Sequence, residues 1–139
     1  MIKRSKLINA SQSELFDLTQ NYEKRLAWDP FPESYRFLNG NIVDKGLRLN
    51  VKAKNGLSME VEYVSFKRPK VAAIKMLNGP WFIRKFAGSW SFHSIDINTT
   101  EVVFKYTIVG MPSWISPFIN LIFANTAEKR LSALKKYVD

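Results

Sequence analysis

Between Tyr35 and Gly110 the side chains alternate in character, and that pattern limits the chain more than any other feature. Leu47, Leu49, Val51 and Ala53 fall on one side of a run whose other side is Arg48, Asn50, Lys52 and Lys54. Leu57, Met59, Val61 and Tyr63 oppose Ser58, Glu60 and Glu62, and Val102, Phe104, Tyr106 and Ile108 oppose Glu101, Val103, Lys105 and Thr107. A period of two marks strands with one covered and one wet face, as in an antiparallel sheet with a single buried side. Turn signals at Asn39-Gly40, Lys45-Gly46, Asn55-Gly56, Arg68-Pro69, Asn78-Gly79-Pro80 and Asn98-Thr99 divide the region into a meander. Asn55-Gly56 is the strongest of them, since both residues tolerate the positive φ of a tight hairpin.

The period changes after Gly110. Trp114, Ile115, Phe118, Leu121, Ile122, Leu131, Leu134 and Val138 recur at helical spacing, with Glu128, Lys129, Arg130, Lys135 and Lys136 on the other side. The spacing predicts one long amphipathic helix over 113–138, with Pro117 tolerated if the helix starts near Ser116. At the N-terminal end, Ile2–Asn9 reads as a strand. Ser11-Gln12-Ser13-Glu14 has the form of a capping box, and Asn21 is a second cap before a short helix that Pro30 and Pro32 end. The sum is an α+β chain: one strand, two short helices, about six more strands and a long helix. A strongly curved sheet folded around that helix is the compact way to cover it.

Composition bounds the chemistry. The 139 residues include no cysteine and one histidine, which removes thiol nucleophiles, disulfides and cysteine- or two-histidine metal sites. No metal or cofactor is expected. The length suits one domain over 1–139. The formal net charge is +9, but Lys and Arg are scattered without a run of five or more, so no specific nucleic-acid partner is expected. A basic face could still meet an anionic membrane. The N-terminus lacks a signal-peptide core and the apolar stretch 111–124 falls short of the ~20 residues of a membrane span, so a cytoplasmic protein is expected.

The element order carries a resemblance. Trp28-Asp29-Pro30 after two short helices, Gly88-x-Trp90-x-Phe92 in the penultimate strand, Thr100-x-Val102 opening the last, and Leu131-x-x-Leu134-Lys135 near the end resemble the helix-grip superfamily. That superfamily includes START lipid-transfer domains, the major birch pollen allergen, and the polyketide cyclase/dehydrase and lipid transport group. The resemblance implies seven antiparallel strands gripping the C-terminal helix, with an elongated cavity between them for a small hydrophobic or amphipathic ligand. It draws Trp28, Trp90, Phe104, Tyr106, Trp114, Phe118 and Ile122 to the ligand slot, where residue character alone would make them plain core.

Residue character suggests aromatic walls that also include Trp81, Phe82, Phe86, Phe92 and Phe123, with Met59 and Met76 as adaptable fillers. Strict alternation places Arg84 with Phe82, Phe86, Gly88 and Trp90, where it would anchor a polar head; a bulge would turn it to solvent instead. His93, next to inward Phe92, is expected outside, and Glu60 with Glu62 forms a wet stripe. Asp29 suits a turn or cap ahead of a proline. Three functions stay open. The first is a carrier or sensor of a lipid, isoprenoid or polyketide-like ligand. The second is a cyclase or dehydratase using Arg84, Tyr63, Tyr106 or Asp29, and the third is a basic surface that binds a membrane or ribosomal partner. Scarcity of acids, bases and nucleophiles on the apolar face favours binding, and no catalytic residue is assigned.

Overall fold

The computed structural model describes residues 1–139. Strand β1 (Ile2–Ile8) is followed by helices α1 (Gln12–Gln20) and α2 (Tyr22–Trp28). Then come β2 (Pro32–Phe37), β3 (Arg48–Ala53), β4 (Ser58–Lys67), β5 (Val71–Asn78), β6 (Ile83–Asp96) and β7 (Thr99–Gly110). A short 3-10 turn over Ser113–Ile115 leads into α3 (Ser116–Val138). The strands form one antiparallel seven-stranded sheet in the order β1-β7-β6-β5-β4-β3-β2, curved and open between β1 and β2. This is the helix-grip arrangement that the element order implies.

Local signals act as their chemistry requires. The Ser11 side chain accepts a hydrogen bond from the Glu14 amide, and Asn21 Oδ1 accepts from the Lys24 amide, so each short helix has its N-terminal cap. The Asn55-Gly56 turn departs from the two-residue form. Only Gly56 has positive φ, at 91°, and its amide donates to Ala53 O at 2.9 Å while Asn55 Oδ1 takes the Leu57 amide. That is a longer turn closed by a left-handed glycine. Gly110 serves another purpose. A Cβ there would stand 2.7 Å from Ile115 Cγ1 and 3.3 Å from the Ser116 amide, so only glycine lets the start of α3 close onto the end of β7.

Two irregularities re-aim side chains. In β4 the register shifts between Tyr63 and Ser65, which turns Phe66 inward beside Tyr63, with ring centroids 5.7 Å apart. In β6 it shifts between Ile83 and Lys85, so Ile83 and Phe86 both face inward and Arg84 is turned out to solvent. The expectation that Arg84 shares the buried face is therefore corrected by a bulge.

Helix α3 packs on β1 and β7 and touches α2. Its inward stripe is Ile119, Phe123, Ala127, Arg130, Leu131, Leu134 and Val138, continued by Ile115 of the preceding turn. Trp114, Phe118, Leu121 and Ile122 lie on the opposite side, between 63% and 73% exposed. The assignment of Trp114, Phe118 and Ile122 to the ligand slot is corrected accordingly: the first turns of α3 are apolar on both sides, and these residues lie on the outer one. Trp81 is likewise outside, at 79% exposed. Truncation separates the two faces. Leu131→Ala, at a fully buried site, is expected to cost about 2–5 kcal/mol of unfolding free energy. Leu121→Ala is expected to stay within about 0.5 kcal/mol, both read from urea midpoints.

Candidate functional site

The concave face of the sheet and the inner stripe of α3 leave a cavity between them, enclosing about 110 Å³. Most of its wall is apolar: Val51, Met59, Val61, Ala72, Ile74, Ile83, Phe86, Trp90, Phe104 and Phe123. The rings brace one another edge to face, with Trp90 and Phe104 centroids 4.2 Å apart and Phe104 and Tyr106 4.4 Å apart. A cavity of ~150 Å³ admits a benzene-sized ring, so this smaller one takes a single slim chain as it stands, and a ring enters only where the open end yields. A bulkier ligand must displace Met59 or the rim.

The cavity is polarised along its length. It reaches solvent beside Asn55, Leu57 and Ser58 at the β3–β4 turn, while Tyr63 on β4 stands ~20 Å of strand away. Around Tyr63 the wall becomes polar with Gln20, Tyr22, Arg25 and Tyr35, and Arg130 and Tyr106 join from α3 and β7. Here the hydroxyls of Tyr22 and Tyr63 hydrogen-bond, Tyr63 donates to Gln20 Oε1 at 2.7 Å, and Gln20 Nε2 donates to Thr19 Oγ1 at 3.1 Å. Such a chain polarises its members and fixes the rings.

Beside it lies a buried charge cluster. Arg130, on the inner stripe of α3, donates from Nη2 to Asp29 Oδ2 at 2.7 Å, from Nε to both Asp29 oxygens at 3.1 Å, and from Nη1 to the Tyr106 hydroxyl at 3.2 Å. Asp29 Oδ1 also accepts the Phe31 amide at 3.0 Å, the turn role its sequence position suggests. The Arg25 guanidinium lies 3.6 Å from Asp29 Oδ2 and over the Tyr22 ring, 5.1 Å from its centroid. Trp90 is near both cations, its ring 5.8 Å from Arg25 Cζ and 5.5 Å from Arg130 Cζ.

Burial pulls the Arg130 guanidinium down, but Asp29 and Tyr106 outweigh it and hold the group well above its ordinary value. Burial likewise opposes the charge on Arg25, and Tyr22, Tyr35 and Asp29 together raise it, against repulsion from Arg130. Both cations are thus held charged. The phenols of Tyr35, Tyr63 and Tyr106 are all pushed up, chiefly by burial.

Of the residues proposed from sequence, Met59, Tyr63, Phe86, Trp90, Phe104 and Tyr106 line this cavity. Trp28 is buried behind it, edge to face with Trp90 at 6.2 Å. Met76 is half-buried against the core, outside the lining, and Arg84, Trp114, Phe118 and Ile122 are on the surface. His93 is exposed at the sheet surface. Sequence reasoning missed Gln20, Tyr22, Arg25, Tyr35 and Arg130. The charge of Arg130 suggests the wet side of the final helix, but its spacing from Ile119, Phe123, Ala127 and Leu134 puts it on the inner stripe.

A family model described as polyketide cyclase / dehydrase and lipid transport matches residues 2–139. No curated protein matches the sequence. Among solved structures, a START superfamily protein from Mycobacterium smegmatis is similar with a TM-score of 0.85 at 12% identity, covering 99% of this chain and 95% of that one. The Zhui aromatase/cyclase from Streptomyces sp. R1128 gives 0.81 at 15% identity, covering 99% and 92%. Ara h 8.0201 gives 0.75 at 13%, covering 99% and 95%. At these identities the likeness establishes the fold alone.

The raised phenols make a pH prediction. A group whose folded pKa exceeds its unfolded value stabilises the fold below the unfolded pKa, here ~10, and loses that contribution as pH rises through the folded value. Absorbance titration of the five tyrosines should leave Tyr35, Tyr63 and Tyr106 silent where an ordinary phenol ionises. Their signal should appear only together with unfolding. Five phenols titrating together near pH 10 with the fold intact would contradict this.

Proposed function

Because the chain belongs to the polyketide cyclase/dehydrase and lipid transport family, we propose that it binds and carries, or senses, a small amphipathic molecule in the cavity under α3. One observation carries the reading: a mostly apolar slot, open near Leu57 and polar at its far end, lies where sheet and helix face each other. Lipid, isoprenoid or polyketide-like molecules with a slim apolar body suit such a slot. A cytoplasmic carrier is the form we favour, and no helix is long and apolar enough to cross a membrane.

Binding is favoured over catalysis by the state of the ionisable groups. A cyclase or dehydratase needs a base that can take a proton from the substrate. Asp29 is the carboxylate of the cluster, and its oxygens are occupied by Arg130 and the Phe31 amide. His93 is on the outside, and burial keeps the phenols of Tyr35, Tyr63 and Tyr106 protonated. Polarisation of a bound carbonyl is available here, but no free base accompanies it.

Displacement of an apolar fluorescent probe tests the reading. Gly88 lines the cavity, and a Cβ there meets the Tyr106 ring at an ordinary 3.5 Å. Gly88→Leu should therefore fill the slot and abolish probe uptake while the melting transition stays cooperative. Undiminished uptake by that variant would place the ligand elsewhere.

A second reading concerns the route of the ligand, and the exposed aromatics favour it. Trp81, Trp114, Phe118, Leu121 and Ile122 are exposed near one end of the molecule, where the Met111 amide donates to Phe82 O at 2.9 Å. No residue from Met111 to Ala127 is charged, and Arg84 and Lys85 are exposed on adjoining β6. Pro80 and Phe123, which line the cavity, adjoin Trp81 and Ile122 in the chain. Tryptophans in an apolar patch flanked by cations suit the interface of an anionic bilayer, so this end is proposed to rest on the membrane during exchange. In a vesicle-flotation assay with phosphatidylglycerol, the double variant Trp81→Ser/Trp114→Ser should lose about tenfold or more in partitioning, equivalent to ~1.4 kcal/mol. Equal partitioning by both proteins would refute the contact.

A further inference from the structure

Hydrogen bonding at the closed end of the cavity is uneven, and the unevenness has a sign. Each guanidinium nitrogen of Arg130 has a partner in Asp29 or Tyr106, and the hydroxyls of Tyr22 and Tyr63 are linked to Gln20. Arg25 differs. Only 7% of it is exposed, and its buried Nε has no hydrogen-bond partner. The nearest carboxylate oxygen, Asp29 Oδ2 at 3.6 Å, already accepts from Arg130. The hydroxyl of Tyr35 is buried and unpartnered too. Both residues line the cavity, and the Tyr22 ring connects them, 5.1 Å from Arg25 Cζ and with its centroid 4.5 Å from that of Tyr35. Two guanidiniums thus face one carboxylate, leaving one positive charge and, at Arg25 Nε and the Tyr35 hydroxyl, two buried polar atoms without a partner. An unpaired buried charge is strongly unfavourable.

We propose that Arg25 and Tyr35 form an oxyanion subsite that takes the single negative charge of the ligand, carried by a carboxylate at the end of an apolar body. The inference rests on the reading that the cavity binds a ligand. A carboxylate matches the excess charge of one, and its two oxygens match the guanidinium fork, with the Tyr35 hydroxyl free to donate to either oxygen. A dianionic phosphate would overcompensate, leaving a buried negative charge instead. The apolar body then lies along Trp90 and Phe86 toward the opening at Leu57. The ligand completes an ion pair that the folded chain leaves unfinished.

Titration calorimetry with 4-phenylbutyrate, its amide and 4-phenylbutylamine tests the charge preference on one carbon skeleton. The wild-type protein should bind the acid about tenfold or more tighter than the amide, with the amine weakest. In Arg25→Met the preference for the acid over the amide should disappear. The melting temperature should hold or rise, because the variant removes an unpaired buried charge. Tyr35→Phe should weaken the acid alone by a few-fold, and it carries the test if Arg25→Met does not fold. Equal binding of acid and amide to the wild-type protein would overturn the subsite and leave the cavity reading intact. Binding of an apolar fluorescent probe without any binding of the acid would also overturn it. Absence of binding by the probe as well would overturn both.

Discussion

The ion pair between Arg130 and Asp29 ties the last helix to the turn after the second. Arg130 comes from α3 and Asp29 from the turn between α2 and β2, and their contact lies beside the closed, polar end of the cavity. Both groups are buried, so the pair holds only because its hydrogen bonds are nearly complete. Removing one member of such a pair typically costs about 3–5 kcal/mol. Helix α3, otherwise laid on β1 and β7, is thereby pinned to α2. The cavity is the space left between a sheet too curved to fill and a helix fastened at one end of it.

That arrangement gives the site its direction. Aromatic rings cover the middle of the cavity and also the faces of both guanidiniums, with Phe104 4.9 Å and Phe31 5.0 Å from Arg130 Cζ. Cation–π contacts and the Asp29 carboxylate together offset desolvation of Arg130, while Arg25 has the rings of Tyr22 and Trp90 and only a share of Asp29. The same cluster that fastens the fold therefore leaves an attraction for one more negative group. Because Asp29 is engaged with Arg130, the cluster favours holding an anion over abstracting a proton.

The fold was legible because it rests on short-range rules. Alternation over Leu47–Ala53 and Val102–Ile108, the Ser11 and Asn21 caps and the helical spacing of Leu131 and Leu134 all correspond to observed elements. The cavity lining was legible where its residues are inward aromatics on regular strands, as with Trp90, Phe104 and Tyr106. It was not legible where a single residue shifts register, as at Arg84, because nothing in Ile83-Arg84-Lys85 announces a bulge. Nor could periodicity separate the two apolar sides of early α3, where Ile119 and Phe123 face the core and Phe118 and Ile122 face solvent. Arg25 and Arg130 escaped notice for another reason. Charge was read as a mark of the wet side, although Arg25 shares a helix face with Tyr22 and Trp28.

The four tryptophans report separately on the two ends of this arrangement, since Trp90 lines the cavity, Trp28 backs it, and Trp81 and Trp114 are exposed near the rim. Indole N–H resonances followed by NMR while 4-phenylbutyrate is added test the central claim most directly. Saturable shifts of the Trp90 and Trp28 resonances are expected, with Trp81 and Trp114 unmoved. Shifts confined to Trp81 and Trp114, or none at saturating ligand, would contradict it.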